Sequence, residues 1–295
     1  MDEQTLWNQM NEAMIELGNR YEPVVEIAAK DEGMDLRTWS TLLAVLTFEP
    51  EDATPAHYMV RGPYTAPEAY LSRLVSASQA GFLSEVEAGK FRLTERGRRI
   101  VLDLVALGRG AMADADPLSG DNARVLMKLL DRLVQTCLGT SPPPETWSIQ
   151  LSYKLMPDPE PPLPFIEQAI SALAAYRDDA HLAAWQNTEL SATALETLTL
   201  LWRGDVNSFD EICKRLDRRG HSCKVYTSAL EDLRAHHLIN GPDEAPWVTR
   251  VGRVFRNQIE EATNRYFYAP WACLQEAEKM ELERILALLI SGLKV

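Results

Sequence analysis

The sequence predicts a mainly α-helical protein with small β-hairpins, in which a unit of helix, short helix, helix, hairpin and helix is written twice. Three observations carry this expectation. Apolar residues recur at three- and four-residue steps through most of the chain. Short polar patches, SEVEAGK at 84–90 and NGPDEAP at 240–246, have the composition of hairpin tips. And KFRLTERGRRI at 90–100 has a near-twin, PWVTRVGRVFR, at 246–256.

The repeat extends upstream in the same order. LRTWSTLLAVLTF (36–48) corresponds to LSATALETLTLLW (190–202), both with helical apolar spacing. AYLSRLVSASQAGFL (69–83) corresponds to VYTSALEDLRAHHLI (225–239), pairing Tyr70 with Tyr226, Leu74 with Leu230 and Phe82 with Leu238. SFDEICKRL (208–216) opens on Ser208 with Glu211 three residues later, a capping-box signature for the short second helix. The expected strands are 81–84 with 91–94 and 238–240 with 247–249, each pair followed by a charged amphipathic helix.

An opening helix at 6–30 corresponds to one at 165–185, and a further helix is expected at 123–138. Between the copies, residues 141–165 are dense in proline and read as a linker. Within it Trp147, Ile149, Leu151, Tyr153 and Leu155 alternate with polar residues, so a short strand or an extended segment is expected. The expected domains are 1–112, with the opening helix and first unit; 113–164, a connecting helix and the proline-rich linker; and 165–295, with the second unit and two C-terminal helices.

A chain of 295 residues accommodates two such domains, and 46% hydrophobic with 25% charged content is that of a soluble globular protein. No run approaches the length of a membrane span, and the N-terminus MDEQTLWNQMNE is acidic where a secretory signal is basic. The expected compartment is the cytoplasm. Cys137, Cys213, Cys223 and Cys273 form no C-x-x-C pair, which disfavours zinc. They read as small buried residues; Cys213 and Cys223 would form a redox switch only if consecutive helices bring them together.

With that order of elements, the sequence resembles the winged helix-turn-helix domain of the bacterial MarR (multiple antibiotic resistance regulator) type, present twice. The carrying residues are Leu74, Gly81-Phe82-Leu83 and Leu93-Thr94-x-x-Gly97 in one copy, and Leu230, Leu233, Leu238-Ile239 and Val248-Thr249-x-x-Gly252 in the other. The segment 259–293 looks like the family's two dimerisation helices. The resemblance implies a transcriptional regulator that binds double-stranded DNA, as a homodimer or an intramolecular pseudo-dimer with its third helices in successive major grooves. It also implies a small aromatic ligand near Tyr266, Tyr268 and Trp271, residues that core packing explains as well. The wings depart from the family's Asp-x-Arg, and the second carries no basic residue.

The net charge of −13 opposes nucleic-acid binding unless acid is segregated from the binding surface. It is segregated: residues 36–110 hold nine basic and eight acidic residues, and 190–265 hold eleven of each. The densest basic cluster is Lys214, Arg215, Arg218, Arg219 and Lys224, with His221, Ser222, Lys224 and Thr227 as base-facing candidates. In the first copy the corresponding candidates are Arg61, Thr65, Ala69, Ser72 and Arg73, with Lys90 and Arg92 reaching the backbone from the wing. The rival reading is a tandem winged-helix scaffold that binds protein, favoured by the net charge and the acidic second wing.

No catalytic motif occurs, no cofactor is implied, and no metal-binding spacing is found, since the adjacent His236 and His237 diverge on a helix. Asp178, Asp179 and His181 read as an ordinary solvated face.

Overall fold

The computed structural model describes residues 2–115 and 117–294. The fold is mainly α with two small antiparallel hairpins, as the sequence predicts. α1 (Glu3–Asp31) begins at Asp2, whose carboxylate accepts the Gln4 N–H at 3.2 Å. Its length lets it enter two cores. Leu6, Met10 and Leu17 lie in a central helical bundle, while Val25 and Ala29 belong to a first lobe.

That lobe contains α2 (Leu36–Phe48), α3 (Pro55–Arg61), α4 (Pro67–Gln79), the hairpin β1 (Leu83–Glu87) and β2 (Lys90–Leu93), and the first turns of α5 (Glu95–Ala113). The second lobe contains α9 (Ala192–Arg203), α10 (Phe209–Leu216), a 3-10 turn (Asp217–Arg219), α11 (Cys223–Ala235) and the hairpin β3 (Ile239–Asn240) and β4 (Trp247–Val248). α12 (Arg250–Tyr268) leaves this lobe and carries Phe267 into the central bundle. There it meets α6 (Gly120–Leu138), α8 (Pro162–Trp185), a 3-10 turn (Ala269–Cys273) and α13 (Glu276–Leu293). No helix among the described residues is long and apolar enough to cross a membrane.

The repeated Thr-x-x-Gly has one physical cause in both lobes. Thr94 and Thr249 cap α5 and α12, each hydroxyl accepting the N–H of the glycine three residues on at 3.0 Å. Each threonine N–H also donates at 3.0 Å to the carbonyl just before the hairpin's first strand, that of Phe82 or Leu238. The same two carbonyl oxygens occupy the place where a Cβ of Gly97 or Gly252 would stand. Only glycine therefore lets the new helix start against the strand behind it.

The hairpins differ from expectation at their tips. Gly89, at φ +74°, closes a two-residue turn, so β1 runs on to Glu87 and pairs with Lys90. Ala53 adds a bridge to Phe91, its N–H donating at 2.7 Å. In the second hairpin Pro242 and Pro246 flank the loop and lack an N–H, which leaves two pairs only.

The strand or extended segment expected between Trp147 and Leu155 is instead α7 (Trp147–Tyr153). Its alternation arises because two faces are buried against different cores. Trp147 and Leu151 pack on the first lobe, while Ile149 and Tyr153 pack on the central bundle. The helix is nucleated from a distance. The Asp179 carboxylate, on α8, accepts the N–H groups of Ser148 and Ile149 at 2.9 and 3.1 Å.

Candidate nucleic-acid interface

The α10, turn, α11 element is built by local signals. Ser208 accepts the Glu211 N–H at 3.3 Å and starts α10. Gly220, at φ +75°, then reverses the chain into α11. Lys214, Arg215, Arg218, Ser222 and Lys224 stand exposed around this turn, and Thr227 is half-buried, its hydroxyl on the Cys223 carbonyl at 3.4 Å.

The turn is docked against the corresponding turn of the first lobe. The Ala66 N–H donates to the Arg219 carbonyl at 2.8 Å, and His221 Nε2 lies 3.2 Å from the Tyr64 carbonyl oxygen. Arg219 donates to Glu196 at 2.8 Å through Nε and reaches the Thr65 hydroxyl at 3.4 Å. Burial raises the Glu196 carboxyl above its usual range, and the Arg219 pair opposes that rise. Thr65 is buried in this seam. Arg219, His221 and Thr65, three of the sequence-predicted DNA contacts, thus hold one lobe to the other.

Other predicted contacts are neutralised where they stand. Arg61 Nε donates to Asp178 at 2.7 Å, Lys90 to Glu87 at 2.7 Å and Arg92 Nε to Asp52 at 2.8 Å. Ser72 is exposed on α4 next to Arg73.

One place differs. An open cleft of about 470 Å³ at the seam is lined by Arg37, Arg73, Arg215, Arg218 and Arg219, with Glu196 as its one carboxylate. Glu196 is committed to Arg219. Arg73 lies over the Tyr70 ring at 5.2 Å. Among the described residues, no ion pair joins Arg37, Arg73, Arg215 or Arg218 to a carboxylate, so four guanidinium groups outside any ion pair line one cleft. Sequence reasoning missed Arg37, which opens α2 and is 36 residues from Arg73 and 178 from Arg215. No local signal marks it.

Asp178, Asp179 and His181 are not a solvated face. Asp178 holds Arg61, Asp179 caps α7 from a buried position, and His181 lies 2.9 Å from the Tyr64 hydroxyl and 3.3 Å from that of Thr263. Burial raises the Asp179 carboxyl to about 6, and burial with Arg256 lowers His181 to about 4.

The aromatic residues expected near a ligand are built into the central core. Trp271 is fully buried, its ring 5.3 Å from that of Tyr268 and 5.6 Å from Phe267. Tyr268 donates to Gln4 at 3.1 Å, and the Tyr266 carbonyl accepts the Tyr176 hydroxyl at 3.4 Å. Cavity space lies elsewhere: about 420 Å³ among Tyr21, Trp39, Leu43, Leu104, Met112 and Glu167, between α1, α2, α5 and α8.

No curated protein and no solved structure matches the chain. Residues 121–292, from the first turn of α6 to the last of α13, match the model of a helix-turn-helix family. That span is more than half of the 295 residues and holds the whole α9 to α12 element with the helices that frame it, and the chain belongs to this helix-turn-helix family.

Proposed function

We propose that the chain is a non-enzymatic, DNA-binding transcriptional regulator made of two winged helix-turn-helix units of MarR-like type. The support for two units is the pair of lobes with the same order of elements and the same Thr-x-x-Gly cap. The contact between the two turns changes the mode of binding. Half-sites read by separate third helices lie about 34 Å apart, one helical turn of DNA. Here the N-terminal ends of α4 and α11 are neighbours, so the pair forms one composite surface rather than two separate readers.

The observation that carries the reading is the cleft lined by four arginines outside any ion pair in a chain of charge −13. A concentrated basic site on an acidic body is what phosphate recognition requires, since guanidinium groups bind phosphate oxygens bidentately. Ser222, Lys224 and Ser72 flank it as candidates for base edges. A ligand-responsive step would use the cavity between α1, α2, α5 and α8, where a small aromatic compound would alter the seat of α2 and with it Arg37.

The test is gel retardation of mixed genomic DNA fragments by the purified chain at low and moderate salt. Salt-sensitive retardation supports the reading; none at low salt sinks it. A second reading, a protein-binding scaffold, is favoured by Trp247, Val251 and Val254, each at least half exposed on the second wing and the start of α12. Loss of DNA binding throughout, with a partner captured through these three residues, would put that reading first.

A further inference from the structure

Cys213 lies on α10 and Cys223 is the first residue of α11; they are joined as a disulfide, with Cα atoms 5.5 Å apart. That separation is ordinary for a bridge. The loop it closes contains Lys214, Arg215, Arg218, Arg219 and His221, hence both the arginines that the second lobe gives to the open side of the cleft and the residues that dock the turn. Cys223 is exposed and Cys213 half-buried, so small oxidants and reductants reach the pair. The other two cysteines are placed differently: Cys137 is fully buried, which pushes its thiol up and makes it inert, and Cys273 packs against the central core.

We infer that Cys213 and Cys223 are a reversible thiol–disulfide site that reacts with hydroperoxides and clamps α10 to α11. Cys223 is the attacking thiol. It sits at the first position of a 13-residue helix beside Lys224, where the helix dipole and a neighbouring cation stabilise an anion. Its thiolate attacks one oxygen of the hydroperoxide; the S–O bond forms, the O–O bond breaks, and the alcohol, or water from hydrogen peroxide, leaves with a proton. The Cys213 sulfur then attacks the sulfenic sulfur of Cys223. The S–S bond forms, the S–O bond breaks, and hydroxide leaves as water with the Cys213 proton. Two thiols are oxidised by one hydroperoxide, and a dithiol reverses the step.

The bridged form holds Arg215 and Arg218 in the cleft with Arg37 and Arg73. Reduction frees the turn and lowers affinity for DNA, an effect that rests on the function proposed above.

The experiment uses the full chain, reduced, freed of reductant and treated with stoichiometric hydrogen peroxide. Free thiols are expected to fall from four to two, with one linked peptide pair joining Cys213 to Cys223. In C213S, dimedone is expected to label Cys223. Amide hydrogen exchange in residues 214–222 is expected to be slower in the oxidised chain. Absence of the linked pair, or oxidation confined to Cys137 and Cys273, overturns the site; labelling of Cys213 in C223S without labelling of Cys223 in C213S overturns the assignment of the attacking thiol. In retardation assays the oxidised wild type is expected to bind DNA about fivefold or more tightly than the reduced chain, the lower end of ordinary coupling, and the C213S/C223S chain to show no redox effect. Equal binding by both forms overturns the coupling. If neither form binds DNA, the DNA reading has failed, and the thiol and exchange measurements decide the site alone.

Discussion

The backbone N–H of Ala66, at the start of α4, donates to the carbonyl of Arg219, in the turn before α11, at 2.8 Å. This bond joins the turn before α4 directly to the turn before α11. A Cβ at Gly220 would stand 2.6 Å from the Cβ of Ala69, so the seam is closed to within a methyl group.

Gly220→Ala is therefore expected to destabilise the chain by about 2–4 kcal/mol, combining a left-handed backbone with an overpacked contact. Ala69→Gly removes the opposing methyl and recovers part of that loss. In a double-mutant cycle by urea unfolding, the coupling is expected to exceed about 0.5 kcal/mol. Additive effects would mean that the two turns do not touch in solution.

Thr94→Ala and Thr249→Ala each lose one helix cap and are expected to cost about 1 kcal/mol. Gly97→Ala and Gly252→Ala force a methyl onto a backbone carbonyl and are expected to cost about 3 kcal/mol or more. Denaturant midpoints of the four variants give the comparison. If the glycine variants were as mild as the threonine ones, the close approach described for both lobes would be wrong.

These two motifs were legible in the sequence because their partners are local: a cap and its glycine are three residues apart, and so are Ser208 and the Glu211 N–H it caps, although the Glu211 carboxylate takes the Asn207 N–H rather than closing the expected capping box on Ser208. The helical lobes, the hairpins and the basic turn at 214–224 follow from the same kind of signal. The position of α7 does not, because its N-terminus is satisfied by Asp179, some 30 residues away, and its apolar alternation serves two cores at once. Arg37 escaped for the same reason. Arg92 and Arg61 were legible as basic but not as paired, since Asp52 and Asp178 reach them only through the fold, whereas the Glu87 partner of Lys90 lies three residues away.

Asp179 and His181 titrate in opposite senses. Burial raises Asp179 from 3.8 to about 6, so between those values the native state retains a proton that the unfolded chain has released, and stability falls as pH rises. His181, lowered from 6.5 to about 4, does the reverse: the unfolded chain holds the extra proton, and stability rises with pH. The two slopes offset one another across their shared window. His181→Gln removes the rise, so its stability relative to wild type is expected to drop between pH 4.5 and 5.5 by up to about 1.4 kcal/mol, one proton's worth. Urea unfolding at the two pH values measures it; a relative gain in stability would contradict the buried, neutral histidine.

The cations of the β1–β2 hairpin offer a contrast with the seam. Because Lys90 is held by Glu87 and Arg92 by Asp52, the double variant Lys90→Ala, Arg92→Ala is expected to change DNA affinity by no more than about twofold, in the range of exposed ion pairs. Fluorescence anisotropy with a retarded fragment gives the number. A loss of tenfold or more would move the interface from the seam to the β1–β2 hairpin.

The most direct measurement is the salt dependence of DNA affinity for wild type and for the chain with Arg37, Arg73, Arg215 and Arg218 changed to alanine. Each phosphate contact contributes a slope of about −0.9 in log K against log salt. The account predicts that the fourfold variant binds at least tenfold more weakly at low salt and that its slope is shallower by about 3.6, while its unfolding midpoint stays near that of wild type. Equal slopes and equal affinities in the two chains would show that the arginine cleft does not face DNA.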